Sequence, residues 1–352
     1  MKPQCFLTVL FCALCAFFTS CSTEVDLFAD GEDVPIVYAL LDPDADTNFV
    51  RLTHTMKANF TFTNTQNPDL ANYPGKLDVR LSEFCNGVFI REMVLDTITV
   101  YNKEEGTFYA PAQKLYYTAE HLNANTAGKR YSYRLTAELP DRTLTADAPM
   151  VGDEHFYIRS TVADFSGGNH ASSGNGKALH EIWFLPAENA GIYDINMSFT
   201  FFERRTFDGD TLPRTLTWRL GTFYQFFLPQ QMHNDAFAVT YYPADLYREL
   251  DKCLGNDTLV PGLRRYLDDE PVHVTVTAGD RNLEEYVYFH SMGNSQNAEN
   301  LTTNIIGGYG VFSTIKTVER GMRLGGTTVP ELIDSKWGFK YVGGHLGKTG
   351  RP

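Results

Sequence analysis

The sequence offers few of the signatures that enzymes carry. Its nine histidines include no H-x-x-x-H or H-E-x-x-H pair, so the helix face that two histidines present to zinc is missing. No G-x-S-x-G elbow occurs, and neither Cys85 nor Cys253 has a histidine close by in sequence. These absences remove local signatures of metallopeptidases and hydrolases and leave only catalytic groups assembled from distant segments. Cysteine is scarce: six in all, of which Cys5, Cys12 and Cys15 fall within the first 20 residues. Long apolar runs are missing too, since Phe6 to Phe18 falls short of the roughly 20 apolar residues that a membrane-spanning helix needs. Basic residues are outnumbered, 30 Lys and Arg against 43 Asp and Glu, for a net charge of −13. That balance argues against a nucleic-acid partner and against attachment to anionic lipid by surface charge.

What is present begins with the first 21 residues. Lys2 supplies a positive end, Phe6 to Phe18 an apolar segment, and Thr19 and Ser20 the small residues of a signal-peptidase site. Two readings are open, an ordinary secretory cut or processing at Cys21. The stretch Phe18-Thr19-Ser20-Cys21 resembles the lipobox of bacterial lipoproteins, with Phe18 in place of the usual Leu or Val. The resemblance implies that residues 1–20 are a lipoprotein signal peptide, that the Cys21 thiol is diacylglycerated, and that the new amino terminus is acylated. Membrane lipid is then the first expected partner, each buried methylene contributing about 0.8 kcal/mol. Residues 21–34 read as an acidic tether carrying Glu24, Asp26, Asp30, Glu32 and Asp33. The tether resembles the acidic segment of surface-exported Bacteroidota lipoproteins; a plain flexible linker is the alternative. With Cys21 acylated, Cys85 and Cys253 remain. Two buried free thiols are expected rather than a disulfide, because free cysteine is among the most buried residue types.

From Pro35 the pattern is β. The run Ile36-Val37-Tyr38-Ala39-Leu40-Leu41 and the alternating Asn48 to Thr53 predict a hairpin. Leu77, Val79 and Leu81 alternate with charged residues, Phe89 to Val100 reads as short strands, and Tyr131 to Leu139 turns at Pro140-Asp141 into Arg142 to Ala148. Evenly spaced short strands predict an immunoglobulin- or fibronectin-like β-sandwich over 35–149. Residues 150–352 predict a second β-rich domain with short helical insertions. Within it, Tyr193, Ile195, Met197, Phe199 and Phe201 alternate with polar residues. Pro243 opens a short helix through Leu246, Leu250, Cys253 and Leu254 that closes at Gly255. Asp280 caps another helix, and Ile305 to Val318 reads as a Gly-rich strand pair. The Ser166 to Gly176 loop is too rich in Gly, Ser and Asn to bury a core.

No cluster argues for a metal or a cofactor. Asp42-Pro43-Asp44-Ala45-Asp46-Thr47-Asn48 starts like a calcium loop but has Thr47 and Thr53 where Gly and Glu are required, so an Asp- and Asn-rich turn is expected. Gly307-Gly308-Tyr309-Gly310 lacks the Lys and hydroxyl residue of a nucleotide loop, and its glycines are read as permitting a tight approach. Trp183, Trp218, Tyr224, Phe226 and Phe227 are assigned to core packing, with an exposed platform for sugar or protein as the alternative. His290, at helical spacing from Leu283, Tyr286 and Val287, is read as edging a packed face.

Three features together, Cys21, the early Ile36 to Leu41 strand and the late motif with Asn304, Gly307, Gly308, Gly310 and Phe312, resemble a Bacteroidota envelope lipoprotein family known as a domain of unknown function. The resemblance implies an outer-membrane lipoprotein often found beside energy-coupled transporters, and it implies no reaction and no cofactor. The expected function is a lipid-anchored binding or accessory module. The alternatives are a fimbrial or adhesin-type subunit and, third, a hydrolase.

Overall fold

Alternation sets the first strands. In β1 (Pro35–Leu41) Val37, Ala39 and Leu41 are buried while Tyr38 and Leu40 face out, and β2 (Asn48–His54) pairs with it antiparallel. The turn between them is held by Asn48, whose Oδ1 accepts from the Asp42 backbone N–H at 2.7 Å and whose Nδ2 donates to the Asp42 carbonyl at 3.0 Å. Four further strands extend the unit: β3 (Asp78–Cys85), β4 (Val88–Val94), β5 (Asp96–Val100) and β6 (Gln113–Thr118). The antiparallel pair β7 (Tyr131–Glu138) and β8 (Thr143–Pro149) completes it. The computed structural model describes residues 34–55, 71–101, 112–159, 164–165, 180–204, 211–225, 232–233, 235–255, 263–291 and 302–341. Cys21, the tether as far as Asp33 and the Ser166 to Gly176 loop lie outside the described residues.

The second half opens with short β9 (Ile158–Arg159), β10 (Asp164–Phe165) and β11 (His180–Phe184). Two long strands follow, β12 (Ala190–Arg204) and β13 (Thr211–Tyr224), then β14 (Met232–His233) and β15 (Ala236–Tyr241). Helix α1 (Ala244–Leu254) precedes β16 (Arg264–Asp280), which runs directly into α2 (Arg281–Ser291). The last described elements are β17 (Tyr309–Leu324), α3 (Thr328–Ile333) and β18 (Phe339–Tyr341). Tyr193, Ile195, Met197, Phe199 and Phe201 of β12 are all fully buried, as their alternation requires. Pro271 sits inside β16 without breaking a regular ladder, because the register against β12 shifts between Phe199 and Phe201 at that place.

Two hydrophobic cores organise the molecule. The first gathers β1, β2 and β6 against β3, β4, β7 and β8, through residues such as Val37, Leu52, Tyr116, Leu81, Leu135 and Leu144. The second gathers β12 and β16 against β9, β11 and β15, with Leu246, Leu250 and Leu254 of α1 packed on it. In chain order the change from one core to the other falls between Met150 and Val151, but Ile305 and Phe312 return to the first.

That return corrects the expected strand pair at Ile305 to Val318. The segment contains one long strand, and β17 changes partner along its length. Its head, Tyr309 to Thr314, lies parallel to β1 over six registered pairs, and its continuation, Ile315 to Met322, lies antiparallel to β16. A single ten-stranded sheet therefore runs through both lobes, eight strands in the path order β13-β12-β16-β17-β1-β2-β6-β5, with β10 paired to β17 and β18 to β16.

The thiols are also corrected. Both are free, Cys85 is only half-buried, and Cys253 is exposed. The buried stripe of α1 is Leu246, Tyr247, Leu250 and Leu254, so Cys253 falls one position off it, where Arg214 Nη2 donates to its Sγ at 3.3 Å. Cys85 ends β3 beside the Asn86-Gly87 turn, whose two residues both take positive φ as a two-residue hairpin demands.

Candidate functional site

The late motif builds the seam between the lobes. Gly310 has φ +108°, and a Cβ there would lie 1.9 Å from the Val37 carbonyl oxygen, so only glycine lets β17 approach β1. A Cβ at Gly308 would likewise meet the Pro35 carbonyl at 2.9 Å, and Gly307 (φ +88°) turns the chain beside Leu144. Phe312 is fully buried in the first core. Asn304 serves as a one-residue surrogate strand: its Nδ2 donates to the Phe312 carbonyl at 2.7 Å and its Oδ1 accepts from the Phe312 N–H at 3.0 Å. Thr303 Oγ1 adds a bond to the Gly310 carbonyl at 2.9 Å. The open edge of the β17 head is thereby satisfied without a further strand.

Helix α2 is docked on the same seam. Asp280, fully buried, caps it by accepting the Leu283 N–H at 3.0 Å and also accepts the Ser313 hydroxyl at 2.6 Å. Burial pushes the Asp280 carboxyl up to about 6, and the bonds from Ser313 and the backbone only partly oppose it.

Docked in this way, α2 faces Tyr286 and His290, four residues apart, toward β1 and β17. Their rings stack with centroids 4.0 Å apart. His290 Nδ1 lies 2.7 Å from the Tyr286 carbonyl; a carbonyl only accepts, so Nδ1 carries the proton and Nε2 of the neutral ring is left as an acceptor. The Tyr286 hydroxyl donates to the Tyr38 hydroxyl at 3.2 Å, and the two rings meet edge to face at 6.0 Å. Burial first, and then that bond, raise the Tyr286 phenol above its ordinary value.

Between these groups lies a cleft of about 320 Å³, walled by Val34, Ile36, Tyr38, Tyr286, His290 and Tyr309 with Thr55, Thr302 and Gly310. Among the described residues that line it there is no Asp, Glu, Lys or Arg. Such walls offer ring contacts and a few hydrogen-bonding groups. His290 is exposed on the cleft wall, with its ring stacked on Tyr286.

The aromatic candidates of the sequence do not join this site, and neither does an acidic group that the structure brings together. Asp153, Glu154 and His155 place ligand atoms within 4.8 Å of one another, but Arg130 Nη2 already faces Asp153 at 3.6 Å and Arg130 Nε pairs with Glu188. Trp218 is buried in the second core, Trp183 pairs across β9 and β15, and Tyr224 meets Tyr288 of α2 edge to face at 5.4 Å. Phe226 and Phe227 lie outside the described residues.

Sequence reasoning missed several buried charges, Glu83 and Arg265 among them. Glu83 occupies an inward position of β3, in phase with Val79 and Leu81, and receives Arg91 Nε at 2.6 Å, the Tyr133 hydroxyl at 2.7 Å and Asn123 Nδ2 at 2.8 Å. Burial pushes its carboxyl up, but these three donors outweigh burial and hold it below the ordinary carboxylate value. Its signal was a Glu at an inward strand position. This network braces the first core and has no open face toward the cleft.

The cleft itself was missed because its walls come from residues 34–55, 286–290 and 302–310, which only the fold brings together. No protein-family model matches this chain, and no curated protein matches it either, so the cleft is read from its own geometry.

Proposed function

We propose that this chain is a lipid-anchored, non-enzymatic binding module of a bacterial outer membrane, with the seam cleft as its binding site. The observation that carries the reading is the short distance along the chain from Cys21, in the lipobox-like stretch, to Val34 on the cleft wall. The 13 steps between them span at most about 45 Å when fully extended. An acyl anchor at Cys21 keeps the cleft within that reach of the bilayer. The function is then presentation: lipid confines the protein to a surface, and the seam offers an uncharged cleft to a ligand or partner.

The resemblance to Bacteroidota envelope lipoproteins supports an energy-coupled outer-membrane transporter as the neighbour. Two packed layers of short strands support an immunoglobulin- or fibronectin-type arrangement for the first lobe. Metabolic labelling with a clickable palmitate analogue tests the anchor. The wild-type chain is expected to label and to sediment with membranes, and Cys21→Ala to do neither. An unlabelled wild type sinks the reading.

One observation favours a second reading, an adhesin- or fimbria-type subunit that assembles by strand addition. Among the described residues β4 is hydrogen-bonded to β3 alone, and the tip of that hairpin exposes Val88, Phe89 and Ile90 in succession. Open, apolar strand edges accept an added strand. Heat-resistant ladders on a gel would support this reading, and a strictly monomeric protein would end it.

A further inference from the structure

We infer that the seam cleft takes a small, neutral, aromatic ligand bearing a carboxamide-like pair, one acceptor beside one donor. The inference deepens the binding-module reading and rests on it, but it stands on the chemistry of the cleft wall rather than on the anchor.

Charge is decided first. No ionised carboxylate, ammonium or guanidinium lines the cleft among the described residues, so a charged ligand would give up part of its water shell without a counter-charge from these walls. Size is decided next. About 320 Å³ lies at the small end of the range for ligand sites, room for one or two fused rings and not for a polymer. Shape follows from the walls: Tyr38, Tyr286 and Tyr309, with Ile36 and Val34, present ring faces and edges on which a flat ring packs by offset or edge contact.

The polar pair comes from the hydrogen bonds already made. Tyr286 spends its hydroxyl proton on the Tyr38 oxygen, so the Tyr38 proton is the one available to a ligand acceptor. His290 spends its Nδ1 proton on the Tyr286 carbonyl, so its Nε2 is available to a ligand donor. A donor from β1 and an acceptor from α2 both border the cleft, and a carboxamide supplies a C=O for the one and an N–H₂ for the other.

The matched probes are 2-naphthamide and its anionic counterpart 2-naphthoate, titrated by saturation-transfer NMR against the full chain in detergent, with empty micelles as the blank. The amide is expected to saturate a single site, with the carboxylate at least about tenfold weaker. Tyr38→Phe keeps the ring and removes both the donor offered to the ligand and the acceptor of the Tyr286 hydroxyl, and is expected to weaken the amide by about fivefold. Tyr309→Ala, at the exposed rim, is expected to weaken it by a similar factor. Equal binding of the two probes, or amide affinity untouched by both substitutions, overturns the inference. Failure here leaves palmitate labelling unaffected, and failure of labelling leaves this titration unaffected, so the two readings fall separately.

Discussion

The two cores differ in where their residues come from. Every buried residue of the second core lies between Val151 and Phe339, whereas the first core takes residues from Val37 to Met150 and then reaches across to Ile305 and Phe312. The second lobe is contiguous; the first is finished by a piece of chain that the second lobe must first carry back to it. Local strand chemistry thus makes most of the first lobe, but its closure depends on the parallel pairing of β1 with the head of β17.

That difference can be broken at several strengths. The largest effect is expected from a fragment of residues 34–150, which lacks Phe312 and leaves β1 with one open edge. It should show no cooperative thermal transition by circular dichroism, and a sharp melt would dissolve the contrast between the lobes. Next is Gly310→Ala, where a Cβ 1.9 Å from the Val37 carbonyl adds a steric clash to an unfavourable φ. A loss of about 4 kcal/mol in urea unfolding is expected. Gly326→Ala, with open space around the added methyl, should stay within about 0.5 kcal/mol.

Two carboxyls sharpen the comparison through pH, with opposite signs. Asp280, at the seam, is raised from 3.8 to about 6, so the folded state holds its proton more tightly than the unfolded one. Its contribution is present below about pH 4 and is lost as pH rises through about 6, by at most about 3 kcal/mol. Asp280→Asn should flatten the stability curve over that window. Glu83, in the first core, is lowered, so its contribution is present at neutral pH and is lost as pH falls below the ordinary value of 4.5. Glu83→Gln should remove that acid-side decline. A smaller loss than at Gly310 is expected at Asn304→Ala, which deletes the surrogate strand without touching a core side chain and should cost about 2 kcal/mol in the same urea assay.

Much of the strand inventory was legible because alternation is a local signal. The β1–β2 hairpin, β7 and β8, the buried face of β12 and the Pro243 to Gly255 helix could each be read from side-chain period and turn residues. The destination of β17 could not, since Ile36 and Tyr309 become neighbours only through the fold. Glycines at 307, 308 and 310 signalled a close approach without naming what was approached. Cys253 was misjudged by a single position on a helix face, and Glu83 was passed over because a buried carboxylate is legible only with its three donors in place. The cleft was least legible of all, because Tyr38 and Tyr286 meet across 248 positions of sequence.

The parallel alignment of β1 with β17 has a mechanical side. Tension entering through the chain before Val34 pulls along the axis of β1, while β17 is held by its further ladder to β16. The six rungs between them are then loaded together, in shear, instead of being unzipped one at a time. A tug on this end of the molecule meets that parallel joint as a whole.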